Sequence, residues 1–410
     1  MTRKMKRVRR WCTGIGAVLL AGAGLCCAAG RMVSSGVKPS FAIAAAEMTM
    51  PTGQAAYQET SAVQKTVTAS AASVPSETSS AESQPAVPAM REVSEASNDT
   101  PSKEPSQAVS AAPSQEGFQA SEVTEEELAA YAQAHEGEEQ YPVYEMTVTE
   151  GNCHYQNIQV KNTASIDIDI AEELQGELGF SIEKTDQPQV LIYHTHTSES
   201  YLTYDTGYFY ESFFPRSTER SESVCAVGEE IAKQLNAAGI VTLHDTTLHD
   251  YPSYSGAYDR SLETIQEYLD KYPTIKVVLD IHRDGIGTDT EKHKPVFTLN
   301  GRKGAQMMIL AGYNYDDSEE FRDWEYNLRF ALRIQQAAVN LCPEMVRPVN
   351  FSDFMYNMNV NTGSLLIEVG AESNTLEEAR YTGYCLGQAL TDVFQQMLEE
   401  KSAPSGLNEN

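Results

Sequence analysis

The spacing of apolar positions changes several times along the chain, and these changes divide it. Residues 11–30 form an uncharged, mostly apolar run, preceded over residues 1–10 by Arg3, Lys4, Lys6, Arg7, Arg9 and Arg10. A run of that length is enough to cross a bilayer. Basic residues on its N-terminal side orient such a segment with its tail in the cytoplasm and the rest of the chain outside. A cleaved signal peptide is the competing reading, given the basic start and the small residues at 28–30 and 44–46. Over residues 31–140, Ser, Ala, Glu, Pro, Thr and Gln dominate, and the aromatics are Phe41, Tyr57, Phe118 and Tyr131. Such a stretch cannot bury enough apolar area to offset its chain entropy. It reads as a disordered linker with a short helix around residues 124–135, and residues 401–410 read as a disordered tail.

From Tyr141 the pattern becomes periodic, and residues 141–400 read as one folded domain. Val190 to Tyr193 is a short buried strand. Val224, Val227, Ile231 and Leu235 recur at helical spacing and end at Gly239, a residue suited to stopping a helix. Ile240 to Leu243 predicts the next strand, and Leu262, Ile265 and Leu269 a helix closed before Pro273. Ile275 to Ile281 is β-branched and apolar enough for a central strand. Asn300-Gly301, between Val296–Leu299 and Ala305–Leu310, signals a hairpin. Phe321, Leu328, Ile334 and Leu341 line a long helix, Ser364 to Val369 is another buried strand, and Thr375 with Glu378 forms a capping box for a last helix. Strands alternating with helices imply an α/β fold, a mainly parallel sheet flanked by helices with a small antiparallel hairpin as its ornament.

The formal net charge of the 410 residues is −28. No concentrated basic face offers itself to phosphates, so nucleic acid is excluded as a partner. The seven cysteines include Cys12, Cys26 and Cys27 in the apolar N-terminal run. Cys153, Cys225, Cys342 and Cys385 are scattered without a paired spacing, so neither a disulfide framework nor a thiolate metal site is expected. Cys225 and Cys385 sit at helical apolar positions and read as core.

In an open α/β sheet, ligands collect beyond the carboxyl ends of the strands. Three strands end in polar clusters: His194-Thr195-His196-Thr197-Ser198-Glu199, then Asp280-Ile281-His282-Arg283-Asp284, then Glu368-Val369-Gly370-Ala371-Glu372. Two of the eight histidines share one strand end and a third stands at another, with carboxylates beside them. Neutral imidazoles with a carboxylate suit an open zinc site that leaves one position for water, and Glu368 is placed to move the protons. Asp280 and Asp284 have a simpler reading, as acceptors for loop amides. His135, His154, His244, His249 and His293 have no matching context and read as structural or solvated.

At these residues the chain resembles the stage II sporulation protein P family, within the zinc-dependent N-acetylmuramoyl-L-alanine amidases. The resemblance covers roughly residues 141–400. It rests on the strings IYHTHTSESY, LDIHRDG, NGRKGAQ and LLIEVGAESNTLEEA in that order, together with the basic membrane segment and the low-complexity spacer. It implies a Zn2+ amidase that strips stem peptides from muramic acid in peptidoglycan, with endopeptidase activity on cross-links as an addition, during forespore engulfment. It further implies an extracytoplasmic catalytic domain on a single-pass membrane anchor. As partners it implies stage II sporulation protein D, a lytic transglycosylase, and the membrane protein M.

By the same resemblance, His196 and His282 are the ligand histidines, His194 a neighbour or alternative, and Glu368 the catalytic glutamate. The third ligand of the wider class is a glutamate before the helix that follows the first site. Counting back from Gly239 puts Arg220 there, with Glu219 and Glu222 near but not aligned, and Glu199 is the candidate on local geometry. Arg283 and Glu372 are candidates for substrate contact, Arg283 because its planar fork suits a stem-peptide carboxylate. Two other functions compete with the amidase. One is a non-catalytic wall-binding module. The other is a glycosidase using Glu199 and Glu368.

Overall fold

The computed structural model describes residues 117–315 and 321–402. The basic tail, the apolar run 11–30 expected to enter the membrane and residues 31–116 of the expected linker lie outside the described residues, as do 403–410. No helix among the described residues is long and apolar enough to cross a membrane.

Order begins before Tyr141, which corrects the linker's expected end. Helix α1 (Glu125–Ala134) starts at a capping box in which Thr124 and Glu127 satisfy each other's backbone amides. The helix has no buried residue of its own. Tyr131 nevertheless reaches Tyr204 and Tyr210, with ring centroids 5.0 and 5.4 Å apart, and Phe118 packs on Tyr381 at 5.2 Å. Aromatic contacts too sparse to show as periodicity hold this stretch to the domain.

The elements that follow are β1 (Gln140–Met146), β2 (Cys153–Tyr155), β3 (Ile158–Asn162), α2 (Ile170–Gln175), β4 (Val190–Tyr193), β5 (Tyr208–Tyr210), α3 (Val224–Ala237) and β6 (Thr242–His244). Next come α4 (Ala257–Lys271), β7 (Val277–Asp284), β8 (Gly287–Thr288), β9 (Glu291–Leu299), β10 (Arg302–Ala305) and β11 (Met307–Gly312). The chain ends with α5 (Trp324–Leu341), β12 (Val349–Ser352), β13 (Ser364–Ala371) and α6 (Leu376–Ser402).

The main sheet is eight-stranded, in the order β2-β3-β12-β11-β13-β7-β4-β6. Its pairs are parallel except β2 with β3 and β11 with β13. This is the expected mixed α/β architecture. One face is covered by α3, α5 and α6, whose Val227, Ile231, Leu235, Leu328, Ile334, Leu386, Leu390 and Phe394 enter the main core. Cys225 and Cys385 are buried. The final helix carries its capping box: the Glu378 amide donates to Thr375 Oγ1 (3.1 Å) and the Thr375 amide to Glu378 Oε2 (3.0 Å).

The hairpin differs from expectation in its location. Asn300 and Gly301 turn with φ of 54° and 72°, and β9 pairs β10 antiparallel. The pair belongs to a second sheet, in the order β10-β9-β1-β5, rather than to the edge of the main one. The apolar run 305–310 is split at Gln306. There the chain leaves β10 and enters the main sheet as β11, while the Gln306 side chain clasps Val148 and the carbonyl of Glu344. A buried polar residue at the crossing satisfies backbone groups that neither sheet pairs.

Parity along β4 settles where its end points. Val190 and Ile192 face the main core, so the next residue of that parity, His194, also faces α3. Its Nδ1 donates to the Ile281 carbonyl (2.8 Å), which leaves Nε2 to accept from His244 Nε2 at 2.8 Å. Burial, then the His244 ring, holds His194 down to about 3, and burial holds His244 down to about 4. The pair is therefore neutral. Gly228 in α3 admits it: a Cβ there would stand 2.6 Å from His244 Nε2 and 2.9 Å from His194 Cε1. Gly228→Ala should lower the melting temperature even though alanine favours helix by about 1 kcal/mol, because overpacking costs about 1–3 kcal/mol. A melting temperature equal to or above wild type would show that the pair is not fixed.

Candidate metal centre

The site lies on the face of the sheet opposite the main core, toward the carboxyl ends of β4, β7 and β13. Along β7, Val277, Leu279 and Ile281 face the main core, whereas Val278 joins Leu191, Tyr193 and Ile265 on the α4 side. Strand alternation then gives Asp280, His282 and Asp284 to the α4 side. Glu368 stands opposite His282 in the parallel β13–β7 register, so the two side chains emerge side by side. The register breaks just beyond, between Glu368 and Ala371. Gly370 there has φ of +67°, and an added Cβ would stand 2.7 Å from Ala305 Cβ. Only glycine fits this break, beyond which the pairing resumes at Ala371 with Asp284.

The loop after β4 brings His196 and Glu199 to the same place, held by two buried carboxylates. Asp280 accepts from the Thr195 amide (2.8 Å) and hydroxyl (2.7 Å). Asp250 accepts from the Ser198 amide (3.0 Å) and hydroxyl (2.6 Å) and pairs with Arg216 at 2.9 Å. A turn in which the Glu199 amide donates to the His196 carbonyl (3.0 Å) places the Glu199 carboxylate beside the His196 ring.

Glu199 lies between the two imidazoles. Its Oε1 is 3.5 Å from His196 Nδ1 and its Oε2 is 3.3 Å from His282 Nδ1. The ligand atoms of His196, Glu199 and His282 all lie within 4.8 Å of one another, a grouping able to hold a metal ion. His282 Nε2 is 2.9 Å from Asp280 Oδ1, the carboxylate–histidine relation that orients a metal ligand. The four central residues are nearly sealed: His196 is 3%, Glu199 1%, His282 3% and Glu368 4% exposed. Charges there interact with little screening by water.

The charge states follow from that burial. For Glu199, burial favours the neutral acid, but Arg283 and then the two histidines outweigh it and hold the carboxyl well below its usual range. Burial lowers His196, and Glu199 opposes this. Burial also works to lower His282, yet Asp280 and Glu199 overcome it and raise that ring well above the imidazole value. The surroundings thus push the two rings in opposite directions. A divalent cation among the three would take the place of the His282 proton, since a ligating imidazole is neutral. Burial, with Asp284, pushes Glu368 up to about 8, against His282. Its Oε2 has no hydrogen-bond partner among the described residues. Two imidazoles, one carboxylate and an unpartnered carboxyl oxygen beside them fit an open zinc site.

The remaining expected residues are placed elsewhere. His194 is turned to the opposite face, so it is neither a ligand nor open to substrate. Arg283 is also corrected. Its guanidinium donates to the carbonyls of Ser200 (3.1 Å), Pro215 (2.8 Å) and Asp284 (3.3 Å), and its amide to Glu199 Oε2 (3.2 Å). It braces the loop and keeps Glu199 ionised, with no fork left for a substrate carboxylate. Glu372 is paired with Lys292 and, at 3.5 Å, with Arg283. In the third-ligand region, Arg220 donates to the Thr246 carbonyl (2.9 Å), and Glu222 accepts from Ser217 (2.9 Å). Glu199 is the carboxylate that stands beside both imidazoles.

Sequence reasoning missed Asp250, Arg216 and an arc of tyrosines. Tyr254 stacks on His196 at 4.5 Å, and Tyr258 meets that ring edge-on at 5.5 Å. Tyr356 stacks on Tyr258 at 5.4 Å. The available signal was the density of aromatics in two turn-rich strings, YPSYSGAY and FMYNMN, where no apolar periodicity accounts for them.

Two solved structures are similar over about half of this chain. One is the CwlD amidase from Clostridioides difficile in complex with the GerS lipoprotein, at 15% identity, covering 52% of this chain and 99% of that one, with a TM-score of 0.33. The other is an N-acetylmuramoyl-L-alanine amidase from Clostridium difficile 630, at 13% identity, covering 54% and 100%, with a TM-score of 0.31. Likenesses this distant carry no argument of their own. The stage II sporulation protein P of Bacillus subtilis (strain 168) is 26% identical over 236 residues, 54% of this chain and 54% of that protein. The chain thus matches about half the length of that relative. The family model for stage II sporulation protein P matches residues 57–391, and with that span matched the chain belongs to the stage II sporulation protein P family.

Proposed function

We propose that this chain is a zinc-dependent peptidoglycan hydrolase that cuts the amide between N-acetylmuramic acid and the L-alanine of the stem peptide. The observation that carries the reading is the sealed His196–Glu199–His282 cluster with Glu368 beside it in strand register. Family membership supplies the cell-wall context. When bound, zinc would polarise the amide oxygen and lower the pKa of a water.

The chain's own groups do the rest. His196, His282 and Glu199 are the ligands, and Asp280 fixes the His282 ring. Glu368 takes a proton from the attacking water and returns it to the departing amine. A carboxyl raised toward neutrality by its surroundings suits both halves of that transfer. The same reading places the apolar segment 11–30 in the membrane with the catalytic domain outside. It also gives the chain stage II sporulation proteins D and M as partners, and activity on peptide cross-links as an addition.

The direct test is digestion of purified peptidoglycan by the full-length chain, with zinc or with chelator, followed by mass spectrometry. Free peptides beginning with L-alanine, lost on chelation and restored by zinc, are expected. New reducing sugar ends that survive chelation would overturn the reading in favour of a glycosidase using Glu199 and Glu368.

Variants separate the roles. His196→Ala and His282→Ala should lose bound zinc and activity together, whereas Glu368→Gln should keep zinc and lose about 10²–10⁴-fold in rate. Full activity in Glu368→Gln, measured beside its metal content, would remove that residue from the mechanism.

A further inference from the structure

Seven buried side-chain polar atoms among the described residues lack a hydrogen-bond partner, and four of them surround one site: His282 Nε2, Glu368 Oε2, Tyr254 Oη and Tyr356 Oη. His282 Nε2 at least has Asp280 Oδ1 at 2.9 Å. The two phenol hydroxyls and the carboxyl oxygen have nothing. Buried polar atoms in native proteins are almost always paired, so each exception needs an account. Three at one catalytic wall share one account, a polar group of a ligand that enters between them.

The hydroxyls are held where they are. Tyr254 lies nearly parallel to the His196 ring, with centroids 4.5 Å and planes 23° apart, and the Arg216 guanidinium sits 4.8 Å from its centroid. Tyr356 has φ of +42° and the next residue, Asn357, +58°. Such values are uncommon outside glycine, and strained backbone clusters where function requires a fixed geometry. Asn357 Nδ2 ties the segment to α4 by donating to the Tyr258 carbonyl (3.0 Å) and Ser261 Oγ (3.3 Å). Both residues keep part of their surface open to solvent while their hydroxyls are buried.

We propose that the hydroxyls of Tyr254 and Tyr356 donate hydrogen bonds to the carbonyl oxygen of the amide cut at this site and hold that oxygen as it becomes an oxyanion. The proposal rests on the amidase reading and adds two residues to it. In the step concerned, the water oxygen bonds to the carbonyl carbon, its proton passes to Glu368, and the C=O π pair moves onto the carbonyl oxygen. The phenols keep their protons throughout. As the C–N bond breaks, the pair returns to re-form C=O and the nitrogen takes the proton from Glu368. Donors preplaced around a developing negative charge stabilise it more than they stabilise the neutral amide, so their contribution belongs to turnover rather than to substrate binding.

The test uses the full-length chain with zinc and the variants Tyr254→Phe, Tyr356→Phe and both together. Each single variant should lose about 10²-fold in kcat with KM little changed. Zinc content should match wild type, and the melting temperature should stay equal or rise, because phenylalanine carries no unpaired hydroxyl. A peptide phosphinate, whose tetrahedral oxygen imitates the oxyanion, should bind the double variant at least about tenfold more weakly by calorimetry, by the same preference of preplaced donors for developing charge. An active wild type alongside a double variant of equal kcat and phosphinate affinity would overturn this proposal alone. Loss of zinc or of thermal stability in the variants would assign the tyrosines a structural role and also overturn it. A wild-type chain that releases no stem peptide would overturn the amidase reading, and this proposal with it.

Discussion

The site depends on one carboxylate that stays ionised where there is almost no water. Glu199, 1% exposed, would be a neutral acid if burial acted alone. The Arg283 side chain and the imidazoles on either side of it reverse that. Arg283 in turn is held by the carbonyl of Ser200, next to Glu199, and by that of Pro215 beyond β5. Loop shape and carboxylate charge are therefore mutually dependent. A buried charge with one partner removed costs several kcal/mol, which is why the loop, the β7 end and the two histidines form one unit.

Much of this was legible in the chain, for an identifiable reason. The buried strands and amphipathic helices announce themselves because one element buries one face, and period then reveals it. His282 and Glu368 could be found because each sits in a strand strong enough to recognise. Neighbouring histidines at a strand end were harder. The parity of β4 sends His194 to the core, and only the loop held by Asp280 and Asp250 turns His196, beyond the strand, to the site. The tyrosine arc was not legible, because Tyr254 and Tyr356 lie in segments whose conformation is set by contacts with distant residues. The split at Gln306 was hidden similarly: an apolar run looks the same whether one sheet or two receive it. Phe118 and Tyr131 were read as linker because isolated aromatics leave no period.

Lys294 shows how the second sheet is joined to the rest. It is 2% exposed and its Nζ reaches Glu378 Oε1 at 2.8 Å and Asp205 Oδ1 at 2.7 Å. Glu378 is also the capping residue of α6, the helix that starts just beyond Glu368's strand. One ammonium thus links β9 to the first turn of α6, and its charge is sustained there: burial works to lower its pKa, and Glu378 and Asp205 more than compensate. The orientation of the last helix, and with it the chain segment leaving the site, is set partly from outside the main sheet.

The order in which the site residues occur along the chain has a consequence for synthesis. Within the folded part His196 and Glu199 come first, then His282, and last Glu368 on β13, which lies between β11 and β7 in the sheet. A ribosome that has released the chain only as far as Glu199 has made the loop after β4 without the strands that complete its setting. Contacts between such distant stretches form late, after the entropic cost of closing long loops has been met. Chains that stop short of β13 therefore have no complete constellation, and the grouping forms only once that strand has emerged.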